Sequence, residues 1–368
     1  MTVTTTAALA SRLPAPLRRS RPARKLWRAK NQLAARRRII GLSGRKRQAY
    51  PTDIEIGMTS RCVSNCLYCG RRQIMDRGLR KPIDAPWSRI TRIIEQCGQL
   101  ADEHPDDEFQ ICPNGLGEAL LHPRLFDAIR LIREAVPRAH IHMNTNAVLL
   151  DQDKAHAILS SELDHFIVSL NVWDRADYQA LHYADRFEQV KQNAEELFAT
   201  APLYHKRPRL SIQILDIGLN QASIEDFKAH WLRLGADNVY VRPFIPLSWT
   251  IRTLMEPDAF SDYRYLLGPE DAALPSKRWP CTSLFKLCSI STEGEIYPCN
   301  FALWHGEGLS LGNIDEISIA EAYRANIPFI REAHTRSRWG EIPACSACNF
   351  WCAMPNLFHR IPGTGRWI

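Results

Sequence analysis

The chain is predicted to be an α/β protein: a partial (β/α)6 barrel followed by a small C-terminal domain tied together by metal. Three observations predict it. Between about residue 51 and residue 244, six short β-rich runs alternate with amphipathic helical runs, the pattern of a parallel sheet with crossover helices. Beyond Phe244 the alternation stops, and Pro246, Pro257, Pro269, Pro275 and Pro280 punctuate a linker. Nine of the eleven cysteines then fall into three groups: Cys62, Cys66 and Cys69; Cys281, Cys288 and Cys299; Cys345, Cys348 and Cys352.

The expected strands cover residues 54–57, 108–112, 140–143, 165–170, 209–215 and 238–242. Between the first two, Trp87, Ile90, Ile94, Cys97 and Leu100 recur at helical spacing and mark a core face. Cys97 is therefore read as a core thiol. Six β/α units are two short of a closed eightfold barrel, so the sequence implies an open, TIM-like barrel with its chemistry at the C-terminal ends of the strands. The expected organisation is a basic extension at 1–50, the partial barrel at 51–245, a linker at 246–280 and a small cluster domain at 281–355.

The formal charge of +7 conceals an asymmetry, because the first fifty residues carry 14 Lys and Arg and no acid, leaving 33 basic against 40 acidic side chains in the rest. Such a leader suits a transit peptide, a nucleic-acid arm, a membrane-contacting segment or a solvated extension tacked on through Leu26, Trp27 and Leu33. No run of eighteen apolar residues and no secretory signal occurs, so no membrane-spanning segment is expected and the chain is read as cytoplasmic. In a reducing compartment clustered cysteines hold metal more often than disulfides.

Directly after the first strand comes Cys62-Val-Ser-Asn-Cys66-Leu-Tyr-Cys69, spacing CxxxCxxC. Three thiolates ligate three irons of a four-iron cluster and leave the fourth open, whereas structural zinc takes four ligands. Buried thiols on one helix face, or zinc completed by a distant ligand, are the competing readings. Position after a strand ending in Gly57 and flanking Arg61, Arg71 and Arg72 favour the cluster.

Over about residues 52–351 the chain resembles the radical S-adenosylmethionine superfamily. The resemblance implies a 4Fe-4S cluster that binds S-adenosyl-L-methionine, with Tyr68 beside the adenine. Asn114-Gly115-Leu116-Gly117-Glu118-Ala119 resembles the glycine-glycine-glutamate segment that takes the methionyl amine, and only Gly117 and Glu118 match it cleanly. Gly117 is expected to permit close backbone approach, and Glu118 to accept from an ammonium group. Asn144-Thr145-Asn146 resembles the family's Thr-Asn-Gly turn, and Ser169 with Asn171 ends the fourth strand where polar groups reach the ribose. Asn146 and Ser169 are thus the further cofactor-binding candidates.

Downstream, Cys281 and Cys299 frame Gly294 as Cx12GxxxxC, with a hairpin turn expected at Thr292-Glu293-Gly294, a helical run at 318–334, and then Cys345-Ser-Ala-Cys348. Four thiols also suit tetrahedral zinc. The ladder resembles the SPASM and twitch domains of the same superfamily, which implies an auxiliary 4Fe-4S cluster on Cys281, Cys299, Cys345 and Cys348. Cys288 and Cys352 remain unassigned between ligand, structural thiol and open iron. The spacing looks similar to twitch dehydrogenases of aminocyclitols, which implies oxidation of a carbohydrate or aminocyclitol alcohol. Epimerisation would instead need a hydrogen donor, for which Cys112 at the end of the second strand is the candidate. Arg242, ending the sixth strand, is the candidate grip on an anionic or hydroxylated substrate. The expected partners are a small-molecule substrate and a flavodoxin or ferredoxin electron donor. A peptide-modifying maturase is the alternative enzyme, and a zinc-containing nucleic-acid-binding protein the remote one.

Overall fold

The computed structural model describes residues 50–182, 184–218, 221–244, 281, 283–305 and 309–348. The basic leader, the linker at 246–280 and Cys352 lie outside the described residues. Six parallel strands form in chain order: β1 (Asp53–Ile56), β2 (Gln110–Cys112), β3 (His140–Thr145), β4 (His165–Asn171), β5 (Arg209–Asp216) and β6 (Asn238–Pro243). Each lies within two residues of its expected limits. The crossovers carry α1 (Gly70–Asp76), α2 (Trp87–Glu103), α3 (Leu125–Ala135), α4 (Gln152–Leu159), α5 (Arg175–His182), α6 (Phe187–Thr200) and α7 (Gln221–Arg233).

The helices form where apolar residues recur at helical period, and they cover one face of the sheet. In α2, Ile90, Ile93, Ile94, Cys97 and Leu100 are buried, so Cys97 is the core thiol its spacing predicts. Trp87 at the start of α2 is only partly buried and receives the Arg124 guanidinium 3.6 Å from its ring centroid. Strand alternation does the rest: Ile54 and Ile56 of β1 face the helices, while Asp53 and Glu55 face the barrel lumen.

The C-terminal segment extends this sheet. Strand β7 (Leu287–Ile290) pairs parallel with β1, and β8 (Ile296–Tyr297) pairs antiparallel with β7, giving the order β6-β5-β4-β3-β2-β1-β7-β8. Gly57 is required at this seam. Its N–H donates to the Ile290 carbonyl at 2.8 Å, and a Cβ there would stand 2.5 Å from the same oxygen.

The hairpin between β7 and β8 turns where expected, with Gly294 at φ 95° and its N–H on the Ser291 carbonyl at 3.0 Å. Two arginines of the barrel clamp this turn. Arg80, nearly buried, bridges Glu293 at 2.6 Å and the Tyr297 hydroxyl at 2.7 Å, and Arg89 reaches the Thr292 carbonyl at 2.6 Å. The segment continues through α8 (Ala302–His305), α9 (Ile319–Thr335) and α10 (Pro343–Ala347). Helix α9 starts where Ser318 and Glu321 cap each other reciprocally. No helix among the described residues is long and apolar enough to cross a membrane.

Candidate functional site

The CxxxCxxC loop follows β1 and occupies the C-terminal mouth of the barrel, where strand geometry predicts the chemistry. Cys69 N–H turns back onto the Cys66 carbonyl at 3.1 Å, and the Ser64 N–H and Asn146 Nδ2 approach Cys62 Sγ at 3.4 and 3.6 Å. Burial pushes the Cys69 thiol up to about 12. Burial also raises Cys66, reinforced by Cys69 and Cys62 beside it, and burial raises Cys62. Of the three flanking arginines only Arg71 opposes this: Arg61 is paired with Asp84 and Arg72 with Asp76, while buried Arg71 donates to the Ser60 carbonyl at 2.7 Å and draws Cys62 and Cys69 downward. The thiols are thus neutral in the protein alone. A cationic iron core is what converts them to thiolates, which is the chemistry an all-sulfur donor set suits.

The Gly117 segment is laced directly to this loop. Gly117 N–H donates to Thr59 O at 3.0 Å and Glu118 N–H to Arg61 O at 2.8 Å. A Cβ at Gly117 would lie 2.1 Å from Arg61 O, so the close approach its sequence suggests is made first to the protein's own backbone. Glu118 is buried and already engaged: one oxygen accepts from Thr145 Oγ1 at 2.9 Å, the other from Asn146 N–H at 2.9 Å. Glu118 thereby ties the turn at the end of β3 to the loop after β2. Burial raises its pKa while the Asn146 and Thr145 bonds lower it.

Tyr68 sits between loop and lumen, its hydroxyl 3.0 Å from His182 Nε2 and accepting from Asn171 Nδ2 at 2.7 Å. Ser169 accepts from Gln213 at 3.1 Å. Cys112 stands in register beside Glu55, and Ser289 of β7 donates to Glu55 at 2.8 Å from the other side. Burial and the Glu55 carboxylate push the Cys112 thiol well above its ordinary value. Burial raises Glu55 too, against lowering by Ser289 and the Gly115 N–H. Arg242 lies over the Tyr240 ring at 4.7 Å, and burial draws its pKa down to about 10.

The second set of thiols also gathers. Cys299 is raised by burial and then by Cys281, Cys345 and Cys348, so these three thiols each lie within electrostatic reach of Cys299. Cys288 is elsewhere, fully buried on β7, with Tyr323, Cys97 and Glu55 as its neighbours. Among the described residues no three His, Cys, Asp or Glu side chains converge as closely as a single ion demands.

Glu55, Gln213 and His182 are the lumen and loop residues that motif reasoning missed. Glu55 alone left a signal, the period-two pattern of Asp-Ile-Glu-Ile in a strand expected to be buried.

A parallel partial barrel with a three-thiol loop at its mouth, and four further thiols in the segment that extends its sheet, suits iron–sulfur chemistry. The radical SAM superfamily profile matches residues 56–203, and that of the SPASM iron-sulfur cluster-binding domain matches 281–349. The chain thus carries a radical SAM domain and, C-terminal to it, a SPASM domain; the first implies a 4Fe-4S cluster with S-adenosyl-L-methionine and the second an auxiliary iron–sulfur cluster.

It is 29% identical over 175 residues to the GTP 3',8-cyclase of Chlorobaculum tepidum, a match spanning 47% of this chain and 48% of that enzyme. The chain thus aligns with about half the length of that relative. Among solved structures, Streptococcus suis SuiB bound to its precursor peptide SuiA shares the fold, with a TM-score of 0.56 at 15% identity over 85% of this chain and 74% of that one. BtrN in complex with AdoMet and 2-DOIA aligns over 81% of this chain and 92% of its own, with a TM-score of 0.49 at 17% identity.

Proposed function

We propose that the chain abstracts a hydrogen atom from a small hydroxylated substrate of the carbohydrate or aminocyclitol type and oxidises its alcohol. The observation that carries this reading is the lumen row Cys112–Glu55–Ser289, which sets a carboxyl group between the Gly115 loop and the strand leading to the second thiols. Cys62, Cys66 and Cys69 would hold the first cluster, and Cys281, Cys299, Cys345 and Cys348 the second. When bound, these groups supply the 5′-deoxyadenosyl radical and an acceptor for the substrate's second electron.

The chain's own residues then position the substrate and manage its proton. One carboxylate oxygen of Glu55 would accept the hydroxyl proton, and the burial that raises its pKa makes the carboxylate a better base than an exposed one. Cys112 remains a neutral thiol, the protonation state a hydrogen-atom donor needs should the outcome be epimerisation. Arg242 and Tyr240 offer a cationic, aromatic wall for the hydroxylated face. Tyr68, Asn146, Ser169 and the Gly117–Glu118 backbone border the cofactor. The barrel is assigned to 51–245 and the auxiliary unit to 281–355. A flavodoxin or ferredoxin would supply low-potential electrons in the cytoplasm.

The test is anaerobic reconstitution followed by reaction with 2-deoxy-scyllo-inosamine and related polyols. About eight irons per chain, 5′-deoxyadenosine formation and a product lighter by two hydrogens support the reading. Unchanged mass with one solvent deuterium replaces oxidation by epimerisation. Turnover of a genomically adjacent precursor peptide, with none of the polyols, replaces it by peptide maturation.

A further inference from the structure

We infer that Asn171, His182 and Gln213 act as positioning residues that hold Tyr68, and through it the cysteine loop, in the orientation that receives the adenine of S-adenosyl-L-methionine; this rests on the reading that Cys62, Cys66 and Cys69 hold the first cluster. The direction of every bond follows from chemistry. The Tyr178 carbonyl can only accept, and it lies 3.1 Å from His182 Nδ1, so Nδ1 carries the hydrogen and Nε2 is left as acceptor. The Tyr68 hydroxyl, 3.0 Å from Nε2, therefore donates to it. Its lone pair accepts from Asn171 Nδ2 at 2.7 Å, and Asn171 Oδ1 accepts from Gln213 Nε2 at 3.1 Å. The same Gln213 nitrogen donates to Ser169 Oγ at 3.1 Å. The Cys66 thiol is a further neighbour of the hydroxyl, so the phenol is held by His182, by Asn171 and by the loop's own cysteine.

Backbone geometry delivers Asn171 to this task. The register between β4 and β5 shifts between Ser169 and Asn171, and Asn171 takes φ 69°. A bulge re-aims the side chain that follows it, and asparagine tolerates the left-handed region better than most residues. The cysteine loop is pinned at the neighbouring residue as well, where Leu67 N–H donates to Leu181 O at 2.7 Å. Tyr178 stacks on His182 with centroids 4.2 Å apart, and Phe244 meets Tyr68 edge-on at 5.9 Å. Strand β4 and helix α5, far from the cysteines in sequence, thus set where the loop sits.

Asn171→Gly keeps the left-handed backbone and removes the amide, while Tyr68→Phe keeps the ring and removes the hydroxyl. Both variants and their combination are reconstituted anaerobically as full-length protein, and S-adenosyl-L-methionine is titrated against the reduced cluster by EPR. Each single variant is expected to keep its iron, to bind about fivefold to tenfold more weakly, and to give an altered cofactor-induced EPR spectrum. The double variant should be weakened by less than the sum of the singles, since both singles remove the same Asn171–Tyr68 bond. An Asn171→Gly protein that titrates like wild type, or single effects that add, overturns the inference. A wild-type protein that binds no iron at the triad overturns the cluster reading instead.

Discussion

Replacing Gly117 by alanine adds one methyl group at the tightest backbone contact between the glycine segment and the cysteine loop. The new Cβ would meet Arg61 O at 2.1 Å and Thr59 O at 2.6 Å, and both are main-chain atoms that cannot rotate away. A normal carbon–oxygen separation requires the two segments to part by more than about 1 Å. That movement breaks the bonds from Gly117 N–H to Thr59 O and from Glu118 N–H to Arg61 O. Two such bonds contribute about 2 kcal/mol, and overpacking adds about 1–3 kcal/mol, so the loss is about 3–5 kcal/mol. For a chain of this size the transition midpoint should fall by about 4–7 °C, measured by anaerobic thermal unfolding of the iron-loaded protein. Gly78→Ala is the control, because its φ of 67° strains an alanine while nothing lies within 4 Å of the new methyl. It should cost about 1 kcal/mol. Equal midpoints for Gly117→Ala and wild type would refute the argument that backbone proximity, not chain flexibility, selects this glycine.

Other outcomes follow from the same geometry. Glu55→Gln should still form 5′-deoxyadenosine but lose oxidised product by about 100-fold, read by quantifying both species in one reaction. Because burial raises the Glu55 pKa, the native state binds that proton more tightly than the unfolded chain; its stabilising share is present at acid pH and lost as pH rises through the raised value. Glu55→Gln should therefore flatten this part of the stability–pH curve, and rate–pH profiles should lose the ascending limb that the carboxylate confers. Cys299→Ala should reduce iron from about eight to about four per chain, whereas Cys288→Ala should keep its iron and lose only stability, since Cys288 packs in the core. Arg80→Ala should cost about 2–3 kcal/mol by stranding Glu293 and the Tyr297 hydroxyl at the hairpin turn, measured by denaturant unfolding.

The six strands and the α2 core face were legible because they depend on local periodicity: alternation in Asp-Ile-Glu-Ile, and Ile90, Ile94 and Cys97 at helical spacing. The cysteine groups were legible because ligand spacing within a loop is itself a local property, as was the hairpin turn at Gly294. Other assignments depended on distant chain segments. Arg61 sits beside the triad in sequence yet is paired with Asp84, twenty-three residues on, because charge acts through space rather than along the chain. Glu118 is fastened to Thr145 and Asn146, partners that only the neighbouring strand could bring.

The amino-acid sequence by itself determined the class of protein, since strand period, helix period and thiol spacing are written within runs of a few residues. Only the tertiary structure decided that β7 joins β1, that Cys288 packs beside Cys97 and Tyr323 in the core, and that Glu55 meets Cys112 and Ser289 across three strands. The physical reason is that register and burial are set by backbone hydrogen bonds between segments more than two hundred residues apart, which no local pattern encodes.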